Sequence, residues 1–186
     1  MILRGMFRLA IGHKSGIKEF DNSLDGFTAS LAPLIAFPLV GAAVSIMAGQ
    51  WQLAVVGFLS RLCAVLALPV ITHEFARRTG REKLWLRTAT ALDWSFWMII
   101  PVLLVAAFIA ASMVSAGLDF DQGKDAALGL ILAYMLWYHW FIARSGLELD
   151  RLRAVLFVTV NGLAIGLFSA GPYLIDYLFY GKIVNY

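Results

Sequence analysis

Cysteine is almost missing from this chain. The single one, Cys63, lies inside an apolar run, so no intramolecular disulfide and no cysteine-rich metal site is available. Charge is scarce too: 15% of residues are Asp, Glu, Lys or Arg, against about 25% in ordinary soluble domains. Carboxylates are scarcest where apolar residues are densest. No Asp or Glu falls in the central part of any long apolar block, and Asp93 and Asp176 sit at block edges. Cation-coupled transporters of the usual kind carry an intramembrane carboxylate, so that class is disfavoured. Catalytic signatures are also lacking. There is no P-loop, no G-x-S-x-G and no G-x-G-x-x-G. HEFAR at 73–77 opens like a zinc-protease H-E-x-x-H, but Arg77 stands where the second histidine is needed. LDGFTAS at 24–30 opens like the D-G-x-x-A-R of CDP-alcohol phosphotransferases, but position 30 is Ser. The expectation is a protein that is not an enzyme and has no cofactor or metal.

What the chain does have is apolar length. Of its 186 residues 61% are hydrophobic, and the mean hydropathy is +0.79. The excess falls into five blocks, at 28–48, 52–72, 94–116, 126–146 and 154–179. Each is long enough for a helix across about 30 Å of hydrocarbon. Inside lipid the backbone must bond to itself, and the strand alternation of a membrane barrel is absent. The predicted fold is therefore all-α, a polytopic bundle of five transmembrane helices. Residues 28–180 form that domain, 1–27 an amphipathic segment before it, and 181–186 a short external tail.

The basic residues orient the bundle. Arg4, Arg8, Lys14 and Lys18 precede the first block. Arg77, Arg78, Arg81, Lys83 and Arg87 join blocks two and three. Arg144, Arg151 and Arg153 join blocks four and five. Only Lys124 and Lys182 fall on the other side. The positive-inside rule places the N-terminus in the cytoplasm and the C-terminus outside, in a bacterial inner membrane. The net charge of +3 is read this way, as membrane orientation, and not as nucleic-acid binding.

The opening MILRGMFRLAIGHK is broken by Arg4 and Arg8 and shows no cleavage site, so it is read as a retained segment. Leu3, Met6, Phe7 and Ala10 share a helical face opposite Arg4 and Arg8, which suits a helix lying in the lipid interface. The connector at 73–94 carries Leu84, Trp85 and Leu86 beside basic residues. It is read as a second surface-lying stretch or as a solvated loop with an aromatic anchor. All five prolines (Pro33, Pro38, Pro69, Pro101, Pro172) fall within the blocks, where membrane helices tolerate them. Small residues recur four apart at Gly41–Ser45–Gly49, at Ala107–Ala111–Ser115 and at Gly162–Gly166–Ala170. Such rows predict close internal helix packing, or a dimer through the last one.

One residue contradicts its surroundings. Arg61 is the tenth of 21 residues in the second block, within about 2 Å of its centre. A charge there is a functional candidate by default. Ala54, Gly57 and Ala64 share its face, which suggests contact with protein. The polar groups at similar depth are His139 and Asn161, each about 5 Å inward of its block's centre. These three form the candidate site. Arg61 either cross-links helices or binds an anion: a lipid phosphate, a substrate or another subunit's carboxylate. His139, within LWYHWF, belongs either to an aromatic belt or to a quinone or haem pocket shared with His73.

The entry to the first block, FDNSLDGFTASLAPLIAFPL, with Phe20, Gly26, Phe27 and Pro33, resembles bacterial relatives of the Yip1 family, as does the five-span topology after a basic amphipathic segment. The resemblance implies a non-enzymatic membrane protein acting through contacts with lipids or with other membrane proteins. Candidate partners are thus membrane lipids, a second membrane protein or another copy of this chain.

Overall fold

The computed structural model describes residues 1–180, without the side chains of Leu53 and of residues 172–180. The external tail, Lys182, and the side chains of Pro172 and Asp176 lie outside the described residues. Within them the chain is helical: α1 (Ile2–Ala10), α2 (Leu24–Met47), α3 (Trp51–Arg78), α4 (Trp85–Ser95), α5 (Ile99–Ser115), α6 (Phe120–Gly146) and α7 (Arg151–Tyr180). Among the described residues there is no strand. Five helices are long and apolar enough to cross a membrane: α2, α3, the run from Glu82 to Ser115 that joins α4 to α5, α6 and α7. This is a multi-pass membrane protein.

Local chemistry explains several boundaries. Ser23 caps α2 by accepting a hydrogen bond from the Gly26 amide at 3.1 Å, so the first membrane helix starts at Leu24. Gly49 and Gly80, at φ 79° and 68°, end α2 and α3 in the left-handed conformation that favours glycine. Glu148 takes the same conformation after α6, at φ 50°. Pro101 has no amide hydrogen to offer the preceding turn. The chain just before it, Phe96–Met98, is a 3₁₀ turn between α4 and α5.

The connector between the second and third spans is neither a surface helix nor a solvated loop. Its first part prolongs α3 to Arg78. Its last part is α4, in which Thr88, Ala89, Thr90, Ala91, Leu92, Asp93 and Ser95 are all buried. Their small size is the reason. A narrow helix fits between α2, α3 and α6, and a Cβ added at Gly146 of α6 would lie 2.5 Å from the Thr88 hydroxyl. Asn22 holds the start of α4: its amide donates to the Lys83 carbonyl at 2.9 Å and its oxygen accepts from the Arg87 amide at 3.1 Å.

α1 is a helix, and its apolar residues divide. Met6, Leu9 and Ala10 are buried against α4 and α6, whereas Leu3 and Phe7 stay exposed. A 3₁₀ turn at Lys14–Glu19 folds back on α1 so closely that a Cβ on Gly16 would lie 2.7 Å from the Gly5 carbonyl oxygen. Two tyrosines of α6 hold the pair in place: Tyr138 donates to the Met6 carbonyl at 3.1 Å and Tyr134 to the Ala10 carbonyl at 2.9 Å. The aromatic run of α6 is therefore not a simple interface belt. Tyr138 and Phe141 belong to the core.

That core occupies one end of the bundle. Met6, Leu9, Leu92, Ile142, Leu147 and Phe157 are among its members, and all stand near the basic loops. Toward the other end the helices expose long apolar stretches, such as Phe37, Val40, Val44, Leu104, Phe108 and Leu132. Those are the surfaces a membrane helix turns to lipid.

Candidate functional site

α3 and α7 run antiparallel. Phe75 meets Phe157 edge-on at 5.3 Å, and the Ser60 hydroxyl donates to the Phe168 carbonyl. α6 packs on α7 from the other side. Between the three helices lies a cavity of about 190 Å³. His139 and Asn161 both line it, with Leu68 as the contribution of α3. Two of the three predicted residues are thus brought together.

Asn161 is buried. Its amide donates to the Phe157 carbonyl of its own helix at 3.0 Å, and its Oδ1 has no partner among the described residues. His139 Nδ1 lies 2.8 Å from the Met135 carbonyl. A carbonyl only accepts, so Nδ1 carries the hydrogen of that bond. In a neutral ring, Nε2 is then an acceptor, 3.2 Å from the Ser95 hydroxyl. The Ser95 hydroxyl also lies 2.6 Å from the Leu92 carbonyl, so its one hydrogen is shared between two acceptors, and Asn161 Oδ1 is the acceptor on the cavity wall left without a partner among the described residues. That oxygen suits a hydroxyl or another donor and is poorly matched to an anion. His73 is engaged elsewhere, edge-on to Trp85 at 5.1 Å.

Arg61 stands apart. It is two helical turns from Leu68 on the same stripe of α3, about 10 Å farther from the basic end. The stripe changes character along its length: Ala54 and Leu68 are buried, Gly57 and Ala64 half-buried, and Arg61 itself is exposed. Its guanidinium folds back over Gly57, where a Cβ would meet Nη1 at 3.0 Å. Gly57 leaves room for that path. Among the described residues Arg61 makes no hydrogen bond or ion pair, with Asn161 or with anything else.

A second polar cluster escaped the sequence reading. Asp93, at the end of α4, is 1% exposed, and Ser30 of α2 is equally buried. The Ser30 hydroxyl lies 2.8 Å from Asp93 Oδ2 and 2.7 Å from the Phe27 carbonyl, and Asp93 Oδ1 is unpartnered among the described residues. The signal was available: a lone carboxylate bordering a long apolar run, 63 residues from a serine in another apolar run. Asp93 stands at a block edge, and position in the sequence does not show that α4 folds inward.

Comparison with protein-family models, with curated proteins and with solved structures found no match for this chain.

Proposed function

We propose that this is a non-catalytic integral membrane protein, a scaffold or accessory subunit that works through helix and lipid contacts, with Arg61 as the residue that grips its partner. The observation that carries this reading is the exposure of a guanidinium near the middle of a membrane helix. Leaving such a charge unpaired in hydrocarbon is costly. No described residue of the chain relieves it, so an anionic group from outside the chain is the natural counterpart. A carboxylate in a partner's membrane helix meets the requirement with bidentate geometry. The five-span topology and the FDNSLDGFTAS entry to α2 are in keeping with a Yip1-like protein. The distribution of basic residues supports a bacterial inner-membrane location with the N-terminus in the cytoplasm.

A second reading, a transporter or lipid-handling protein, is favoured by the same exposure. A guanidinium on the bundle surface is also open to an anionic group carried into the membrane, such as a lipid phosphate drawn toward its centre.

Wild type, Arg61→Leu and Arg61→Lys, purified in mild detergent, separate these readings. Thermal unfolding reports the fold, and native mass spectrometry reports what stays bound. Arg61→Leu is expected to melt within a few degrees of wild type and to lose a bound protein subunit, with Arg61→Lys retaining part of it. Loss of a lipid instead supports the second reading. A variant that melts much lower with nothing lost makes Arg61 an internal brace and overturns both.

A further inference from the structure

At the basic end of the bundle, α3 and α7 enclose a second cavity, of about 540 Å³. Its chemistry is graded along its length. Arg78 of α3 and Arg153 of α7 stand at the rim. Ile71 and Phe75 of α3, with Leu156 and Val160 of α7, line the rest. Seven residues separate Ile71 from Arg78, and seven separate Arg153 from Val160, so each wall runs about 10 Å from charge to hydrocarbon. Because the helices are antiparallel, the two arginines sit at one level and the two aliphatic ends at another. Phe75, on the slot's wall, is itself held edge-on against Phe157 of α7 at 5.3 Å.

Internal pairs take up only part of each arginine. Arg78 engages Glu74 through Nε, and Arg153 engages Asp150 through Nε at 3.2 Å. Their Nη groups make no hydrogen bond among the described residues. Glu74 also lines the cavity and would repel an anion, but Arg77 and Arg78 both bond to it. The Thr79 hydroxyl, beside them, donates to the Phe75 and Ala76 carbonyls of its own helix.

We propose that this slot binds one anionic glycerophospholipid, its phosphate held by Arg78 and Arg153 and an acyl chain laid along Ile71, Phe75, Leu156 and Val160. Two guanidinium groups supply charge and several donors to phosphate oxygens. The aliphatic walls then continue into the membrane span, as a lipid requires and a soluble phosphate does not. The site is distinct from Arg61, which lies more than two turns farther along α3.

The test uses the full chain in nanodiscs of phosphatidylcholine containing phosphatidylglycerol, followed by native mass spectrometry and thermal unfolding in detergent. Wild type is expected to retain one phosphatidylglycerol and to gain stability as that lipid is titrated in. The double variant Arg78→Gln/Arg153→Gln is expected to weaken retention by roughly 30-fold. Leu156→Trp, at an exposed position, is expected to weaken it by narrowing the slot while both arginines remain. Lys14→Gln/Lys18→Gln removes equal charge elsewhere and is expected to change nothing. Retention equal to wild type in the arginine variant overturns the proposal, as does equal loss in the lysine variant. A matching stabilisation by glycerol phosphate alone also overturns it, since the slot would then bind a headgroup without a chain.

Discussion

Ser30 holds one hydroxyl hydrogen, and two acceptors face it: the Phe27 carbonyl and Asp93 Oδ2. It is also the one hydrogen-bond partner that the Asp93 carboxyl group has among the described residues. A buried carboxyl group deprived of its partner costs about 1–3 kcal/mol, and more where it carries charge. Ser30→Ala is therefore expected to lower unfolding stability by that amount. Asp93→Asn places an amide donor against the hydroxyl, so that it can donate to Ser30 while Ser30 donates to Phe27. It is expected to be at least as stable as wild type. In an Asp93→Leu background, Ser30→Ala is expected to cost less than half as much, because the group it would strand is gone. Chemical unfolding of wild type and these four variants in one detergent ranks Asp93→Asn and gives the coupling directly. Equal costs of Ser30→Ala in both backgrounds would show that the pair is not coupled.

At the scale of elements, small residues matter where helices touch, and sequence spacing misplaces those contacts. Among the described residues a Cβ on Gly162, Gly166 or Gly41 would meet nothing within 4 Å, so these glycines make no close helix contact there. The close approaches are at Gly146 against Thr88, and at Gly123, where a Cβ would lie 2.9 Å from a Val114 methyl and 3.3 Å from the Ala110 carbonyl oxygen. Gly146→Ala is expected to destabilise by about 1–3 kcal/mol through overpacking, with partial rescue by Thr88→Ala. Gly166→Ala, in open space on α7, is expected to fall within about 0.5 kcal/mol of wild type. Thermal unfolding of the three variants decides it, and equal effects at 146 and 166 would remove the distinction. The five long apolar helices were legible because hydropathy over about 20 residues needs no tertiary information. Burial of α4 was not, since Thr88, Ala89, Thr90 and Ala91 are neither apolar enough to mark a span nor patterned enough to mark a core face. Whether a G-x-x-x-G row meets a neighbour depends on how helices are rotated, and its spacing alone does not record that. In the candidate site, His139 and Asn161 shared a legible depth and do share a cavity. Arg61 shared the depth too, but it lies about 10 Å along α3 from the Leu68 wall of that cavity.

Over the whole molecule, packing is graded from one end to the other. The fully buried side chains Leu9, Leu92, Ile142, Leu147 and Phe157 gather near the basic loops, where α1 and α4 fill the space between the spanning helices. Among the described residues nothing equivalent stands between them toward the other end, and Leu104 and Leu132 there are 69% and 61% exposed. Inside a bilayer, exposure means contact with lipid tails, which solvate leucine about as well in the folded state as in helices that have come apart. Truncating such a residue removes little that folding had gained. Truncating a core leucine or isoleucine instead leaves a void that neighbours fill only in part, at about 2–5 kcal/mol. Leu92→Ala and Ile142→Ala are therefore expected to cost that amount in unfolding stability, and Leu104→Ala and Leu132→Ala less than about 1 kcal/mol. Reversible denaturation in mixed micelles measures all four on one scale. If the exposed pair proved as costly as the buried pair, those faces would be covered by protein, and the bundle would then be one part of a larger assembly. The expected gradient assigns a different task to each end: the basic end holds the fold, and the opposite end leaves its helices available to lipid and to whatever meets Arg61.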